Sequence, residues 1–453
     1  MTKRQPLPLS NDPVLPLNRS EWAYIAIDGP AGGLAQTYYF RFQGPLAERE
    51  VRQAVRQLLT AAPRLRAVLE PTRRRYQLRI LPDNEQLDAL LEQAFRTEVI
   101  ELDDPATVRR WQELALNEPL PLMRGLGIRV QFAPHPTRAG LLLSVHHVLM
   151  DGRSLIHCIE SLMKLLNGHA VDPLPIENSS MLPAILPEHW WQWPQKLWRS
   201  WVQEREQARE QARYEIIELP RQRSARHVST GLHHHPTGLA AKDLSRVAKA
   251  MGGSANSLMN AALGTALLAQ AGNRPGTAAL IRMGVDLRRY FPAGQAPTMG
   301  NHVAVFNVLL PQEVPEADRV RWIDGRVRQA LARFERREVL LPLLPYELLG
   351  LIRPHDYTRL YLRSKRLDRL NPPSGHTTNI GSADAFNAPD AQVRLDELQA
   401  SVVSVAPLLV LAVANGQQMV VTCHPRDQYR DPDVLALMAS MNQVMARWLN
   451  AGA

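Results

Sequence analysis

The chain has 453 residues and carries 53 Lys+Arg against 44 Asp+Glu, a formal charge of +9. That length exceeds one hydrophobic core, which stops growing near about 250–300 residues, so two packed units are expected and a small stapled scaffold is excluded. A composition of 45% hydrophobic and 21% charged residues excludes a disordered or collagen-like chain, and two cysteines, Cys158 and Cys423, exclude a disulfide framework.

The first twenty residues begin basic but are broken by Pro6, Pro8, Pro13 and Pro16, which leaves no apolar stretch for a secretion signal. No window approaches the roughly 18 apolar residues of a spanning helix, so a cytoplasmic setting is expected. Residues 21–43 alternate around Tyr38, Phe40 and Phe42 and predict a strand closed by Gly44-Pro45. Val51, Val55, Leu58 and Leu59 recur at helical spacing and predict a helix over 48–59, stopped at Pro63. The stretches PRLRAVLE and RRRYQLRILP read as two short strands. A short helix over 108–116 precedes strands at 127–132 and 140–145; the second, GLLLSV, is apolar throughout, as in a strand buried on both faces. Leu155, Ile159, Leu162 and Leu166 then predict a helix over 154–166, with Ser154 as its cap.

The chain thus divides into a first half over 1–172, a connector over 173–228 with one long charged helix, and a second half over 229–453. In the second half helices are predicted at 241–251 and 256–270 and strands at 278–285 and 303–310. Two further helices, strands at 402–413 and 418–423, and a last helix at 432–449 complete it. Each half is expected to bury its own core.

No nucleophile elbow, phosphate loop or zinc helix is present. The surplus of positive charge is almost all arginine, with only six lysines, and guanidinium groups suit carboxylates and phosphates; codon bias explains it equally well. Arg73 to Arg75 form a basic run that suits an acidic carrier or CoA phosphates, or simply a solvated strand face. The basic residues are dispersed and lack a stacking platform, so nucleic-acid binding is not expected. His233, His234 and His235 lie in a strand pattern, where consecutive side chains cannot converge on one ion, so no metal is expected. Trp190, Trp191, Trp193, Trp198 and Trp201 with Lys196 and Arg199 suit either peripheral membrane contact or packing of the connector across the halves; Pro187 and Pro194 favour packing.

The chemistry concentrates where GLLLSV runs into His146, His147, Val148, Leu149, Met150, Asp151, Gly152, Arg153 and Ser154. Successive strand residues face opposite sides, so one histidine of the pair can face a cavity as a base while the other packs inside. Asp151 at the following turn can tie the loop down, and Gly152 can take backbone angles closed to other residues.

The string HHVLMDGRS resembles the His-His-x-x-x-Asp-Gly (HHxxxDG) signature of the thioester-dependent acyltransferase superfamily. Its members include nonribosomal peptide synthetase condensation domains, wax ester and diacylglycerol acyltransferases, alcohol acetyltransferases, polyketide-associated acyltransferases and the plant BAHD enzymes. PRLR at 63–66, PLPLMR at 119–124, GVDLRR at 284–289, MGN at 299–301 and TTNIG at 377–381 are similar to further elements in the same order, covering nearly the whole chain. The plant-type Asp-Phe-Gly-Trp-Gly is replaced by NIGSADAF, which favours the bacterial branches.

The resemblance implies an α/β fold of two chloramphenicol acetyltransferase-like mixed-sheet halves, a pseudo-dimer with a tunnel between them. It implies His147 as the catalytic residue, His146 as a structural neighbour, and Asp151 as a structural aspartate paired with Arg288, with Arg282 in reserve. A thioester is already activated, so the remaining tasks are to take a proton from a hydroxyl or amine and to stabilise the oxyanion. Backbone near Gly152, or Thr378, Asn379 or Asn301, are the candidate oxyanion or tunnel groups. The expected donor is CoA or a phosphopantetheine thioester on an acyl carrier protein, with no tightly bound cofactor, and the acceptor a small alcohol or amine. A monomer is expected. The alternatives are a wax-ester-type lipid alcohol acyltransferase and a catalytically silent carrier-binding module.

Overall fold

Asn18 begins the first long element: its side chain accepts from the Ser20 and Glu21 amides while Glu21 reaches back to the Asn18 amide. This capping box makes Arg19–Ile27 a helix, and the strand expected over 21–43 begins only at Ala35. The computed structural model describes residues 12–451 except 45, 73–74, 178–179, 223, 225, 348–351, 367–372 and 405. Arg73 and Arg74 of the basic run lie outside the described residues, as do Pro6 and Pro8.

The first-half sheet has five strands in the order Arg394–Val402, Ala35–Gln43, Gly140–His146, Ile128–Ala133 and Phe95–Thr97. All pair antiparallel except the last, which is parallel to its neighbour. Its first strand comes from the second half of the sequence. The expected single strand over 402–413 is instead two strands, Arg394–Val402 and Leu408–Ala414, in different sheets. Pro407 lies just ahead of the second strand, where a residue without an N–H fits at the edge of a ladder rather than inside one.

The second-half sheet orders Val303–Pro311, Thr277–Asp286, Gly375–Ser382, Leu408–Ala414, Gln417–Pro425 and Thr230–Ala240, with Glu215–Ile216 added beside Thr277–Asp286. A small sheet of Val14–Pro16, Tyr76–Ile80 and Ala67–Pro71 flanks the first half. PRLR forms a 3-10 turn, not the start of a strand, because Pro63 lacks the N–H that a ladder needs. Among the described residues three α-helices, Arg319–Glu335, Leu340–Glu347 and Pro354–Arg366, stand where two helices were expected.

One core, around Leu258, Ile281, Leu310 and Met441, belongs to the second half together with Ile217 and Leu219 from the end of the connector. The other starts in the first half with Phe40, Leu141 and Leu155 and continues into Ile380, Val410 and Val421, so the halves do not each bury a private core. Their sheets pack through this shared apolar layer.

The connector helix Trp193–Gln211 buries little besides Ser200. Trp190, Trp191, Trp198 and Trp201 are 78%, 60%, 62% and 38% exposed, so these rings do not pack across the halves as favoured from the sequence. The helix is held by its other face, where Arg199 and Gln203 bond Glu338. No helix among the described residues is long and apolar enough to cross a membrane.

Candidate active site

The Gly140–His146 strand is buried along its length and ends in a turn that splits the two histidines. His146 is buried; its Nε2 lies 3.0 Å from Asp28 Oδ1, and its Nδ1 accepts from the Val148 amide at 3.2 Å. Those two bonds use both ring nitrogens and tie the turn to the end of the first helix. His147, whose amide donates to Leu34 O at 2.7 Å, faces a cavity instead, its ring against the Tyr24 ring with centroids 4.3 Å apart.

Asn301 sits behind His147. Its Nδ2 donates to Val148 O at 3.1 Å, which turns Oδ1 toward the imidazole, 3.1 Å from His147 Nδ1. An amide oxygen can only accept, so Nδ1 carries the proton and Nε2, on the cavity side, holds the lone pair. Burial holds the imidazole below its ordinary pKa, against the opposing pull of Asp151 and the Asn301 bond, so the ring is neutral at neutral pH. Asn301, expected among the oxyanion or tunnel groups, does not line the cavity; one of its N–H groups goes to Val148 O and its oxygen meets the imidazole from behind.

Asp151 caps the helix Gly152–Leu166, the role expected of Ser154, which is instead the third residue of that helix. Oδ1 accepts from the Arg153 and Ser154 amides at 3.1 and 2.9 Å, and Oδ2 from Arg288 Nη1 at 2.9 Å and the His302 amide at 2.8 Å. Arg288 also donates through Nε to Pro297 O and through Nη2 to Ser154 Oγ. Burial opposes ionisation of Asp151, and the Arg288 charge and these bonds overcome it, holding the carboxyl below the usual range. Arg282 is elsewhere, on the cavity wall, with Nε donating to Asn307 Oδ1. Gly152 is not in the left-handed region, and an added Cβ would meet nothing within 4 Å; the expected need for special backbone angles is absent because it is simply the first residue of the helix.

Arg64 of the PRLR turn completes the frame. Its Nε donates to Leu149 O at 2.7 Å and its guanidinium pairs with Glu21, which is fully buried and in turn accepts from the Asn301 amide. Arg64, Glu21 and Asn301 thus connect the first helix, the histidine turn and the second half.

The cavity has a volume of about 630 Å³ and lies between the halves. His147, Gly152, Gln36 and Tyr38 line it from the first half; Val303, Phe306, His376 and Thr378 line it from the second. The strand Gly375–Ser382 alternates, so His376, Thr378 and Ile380 face inward, whereas Asn379 turns out to bond Asn256 and Gly381. Asn379 therefore lies outside the cavity. Gln36, Tyr38 and His376 also line the cavity, and the sequence does not mark them as functional. Tyr38 Oη donates to Gln36 Oε1, and Gln36 Nε2 donates to Met150 O at 2.7 Å, bracing the histidine turn. His376 is held down to about 4 by burial and by Arg282. The period-2 pattern around Tyr38 carried the signal for the first two.

A model of the Condensation domain family matches residues 26–284, more than half of the chain. The chain belongs to the condensation-domain family. Comparison with curated proteins by sequence gives no match. Among solved structures, the chain is similar to the TRI3 trichothecene 15-O-acetyltransferase from Fusarium sporotrichioides, at 12% identity and a TM-score of 0.70, covering 96% of this chain and 94% of that one. The first condensation domain of the calcium-dependent antibiotic synthetase, solved with a substrate analogue, gives 15% identity, a TM-score of 0.68 and 97% of each chain. The condensation domain of the Monacolin K polyketide synthase MokA gives 12%, 0.63, and 97% and 98%. At such identities the likeness concerns the fold, which is the expected two-lobed chloramphenicol acetyltransferase-like one.

Proposed function

We propose that this condensation-family protein transfers an acyl group from a thioester, carried by CoA or by the phosphopantetheine of a carrier protein, to a hydroxyl or amine, with His147 Nε2 as general base. The observation that carries the reading is the Asn301 bond to His147 Nδ1, which leaves the basic nitrogen of a neutral imidazole on the wall of a two-sided cavity. The acceptor's proton passes to Nε2 as its oxygen or nitrogen attacks the thioester carbonyl; collapse of the tetrahedral oxyanion expels the thiolate, which takes that proton from the imidazolium. Gly152, at the N-terminus of its helix, and Thr378 are the cavity groups offered to the oxyanion. Asp151 and Arg288 act as positioning residues for the turn.

Mass spectrometry of product formation from a panel of acyl-CoA and acyl-carrier donors with mixed alcohols and amines tests this. His147→Ala should lose about 10²–10⁴-fold in rate with its fold intact. Full activity in that variant refutes the base assignment, and no transfer by the unaltered protein favours a carrier-binding module.

One observation favours a lipid alcohol as acceptor. The helix Trp193–Gln211 places Glu204 and Gln207 on the cavity wall while Trp198 and Trp201 stand exposed on the same helix. Indole rings partition to the lipid–water boundary, which would bring that end of the cavity to a membrane surface. Flotation with anionic liposomes should carry the protein upward, and Trp198→Ser/Trp201→Ser should reduce the floated fraction; no flotation removes this reading.

A further inference from the structure

The three consecutive histidines of the Thr230–Ala240 strand cannot share an ion with one another, but the antiparallel ladder brings one of them beside a histidine of the next strand. His424 pairs in register with Gly231, two residues from His233, so both side chains rise from the same face. Gly231 has no side chain, and a Cβ there would lie 2.6 Å from His424 Cε1; the glycine lets the His424 ring lean over toward His233. The two imidazoles are nearly parallel, 11° apart with centroids separated by 5.5 Å. Asp431, at the start of the helix Asp431–Ala451, closes the group: Oδ1 is 2.9 Å from His424 Nε2 and 3.7 Å from His233 Nε2.

We propose that His233, His424 and Asp431 form a site for a divalent transition metal of the Zn²⁺ type, separate from the cavity around His147. One ligand atom from each lies within 4.8 Å of the others. Tetrahedral zinc with ligands near 2.0–2.2 Å separates its donor atoms by about 3.4 Å, and 2.9 and 3.7 Å bracket that value. His233 is 8% exposed and its Nε2 has no hydrogen-bond partner among the described residues, so a buried lone pair or N–H is aimed at the group without being used. Two nitrogens and one oxygen select zinc-like ions over magnesium or calcium. Asp431 is partly exposed, which gives an entry path from solvent.

Metal binding at His424 Nε2 displaces the proton shared with Asp431 to Nδ1 of the same ring, which has no partner among the described residues. Arg426 donates to both Asp431 oxygens, at 3.1 Å from Nε to Oδ1 and 3.1 Å from Nη2 to Oδ2, and so orients the carboxylate while drawing charge from it. The affinity is therefore below that of a closed structural zinc centre. The site lies on the junction between the halves. Arg426 also bonds Glu113 of the helix Pro105–Asn117, whose Asn117 exchanges two hydrogen bonds with the Thr230 backbone. A bound ion would fasten the first strand and last helix of the second half beneath that first-half helix.

Equilibrium dialysis of the full chain, cleared of metal with EDTA, against micromolar ZnCl₂ tests the proposal, with thermal unfolding followed in parallel. The expected result is one Zn²⁺ per chain and a higher Tm with zinc, with binding weakened at least about tenfold in His233→Gln and unchanged in His235→Gln. Asp431→Asn serves as the second ligand variant if circular dichroism shows His233→Gln misfolded. Absence of zinc above background in the unaltered protein overturns the site, as does undiminished binding in a folded ligand variant.

Discussion

Beside the cavity, the first half meets the second through Arg288 and Asp151, whose side chains are 8% and 2% exposed. A second junction joins them through Glu113 and Arg426, at 18% and 29%. The first pair is satisfied on every side by backbone groups and Ser154, so it has one geometry and passes that geometry to the histidine turn. The second is partly solvated, so side-chain entropy and screening take back much of the Coulomb gain. The difference separates a buried junction with one fixed geometry from a partly solvated one.

Breaking the buried pair should have the largest effect. Arg288→Ala leaves the Asp151 charge buried and uncompensated and should cost about 3–5 kcal/mol, read from the denaturation midpoint. The pair also carries a pH dependence. The folded pKa of Asp151 is depressed, so its stabilisation is present above the unfolded carboxyl value and is lost as pH falls through the folded one. Arg288→Ala should blunt acid unfolding accordingly.

A smaller effect is expected behind the His147 ring. Asn301→Ala should lower kcat about tenfold by freeing the imidazole tautomer. The acid limb of kcat/KM for the unaltered protein should fall below the usual histidine value of about 6.5, because burial disfavours the imidazolium. Asn301→Ala should push it lower still, since the lost bond favoured the charged form. An acid limb that does not move would detach Asn301 from His147. The smallest change belongs to the exposed junction, where Glu113→Gln should cost under about 1 kcal/mol. Equal losses at Arg288 and Glu113 would erase the contrast between the two.

The α/β class and the two-lobed fold were legible in the sequence because buried strands such as GLLLSV and amphipathic helices such as 154–166 are local patterns. So was the motif that ends the strand. Less legible were features that depend on residues far apart. The Asn301 side chain meets His147 across 154 positions, and no local pattern tells which amide atom turns inward. Thr378 and Asn379 were named together because period 2 separates neighbours without saying which faces the cavity. The capping box from Asn18 to Glu21 was in plain view but was overridden by the alternation that follows it. The register that sets His424 beside His233 joins strands far apart in the chain, so no local pattern shows it.

The strand Arg394–Val402 carries a further consequence for how the chain is made. Its partner, Ala35–Gln43, leaves the ribosome about 350 residues earlier. At ordinary elongation rates of about 5–20 residues per second, that strand waits roughly 20–70 s with one row of N–H and C=O groups open to any passing chain. During translation, the first-half sheet therefore stays open along that edge until its own distant segment arrives.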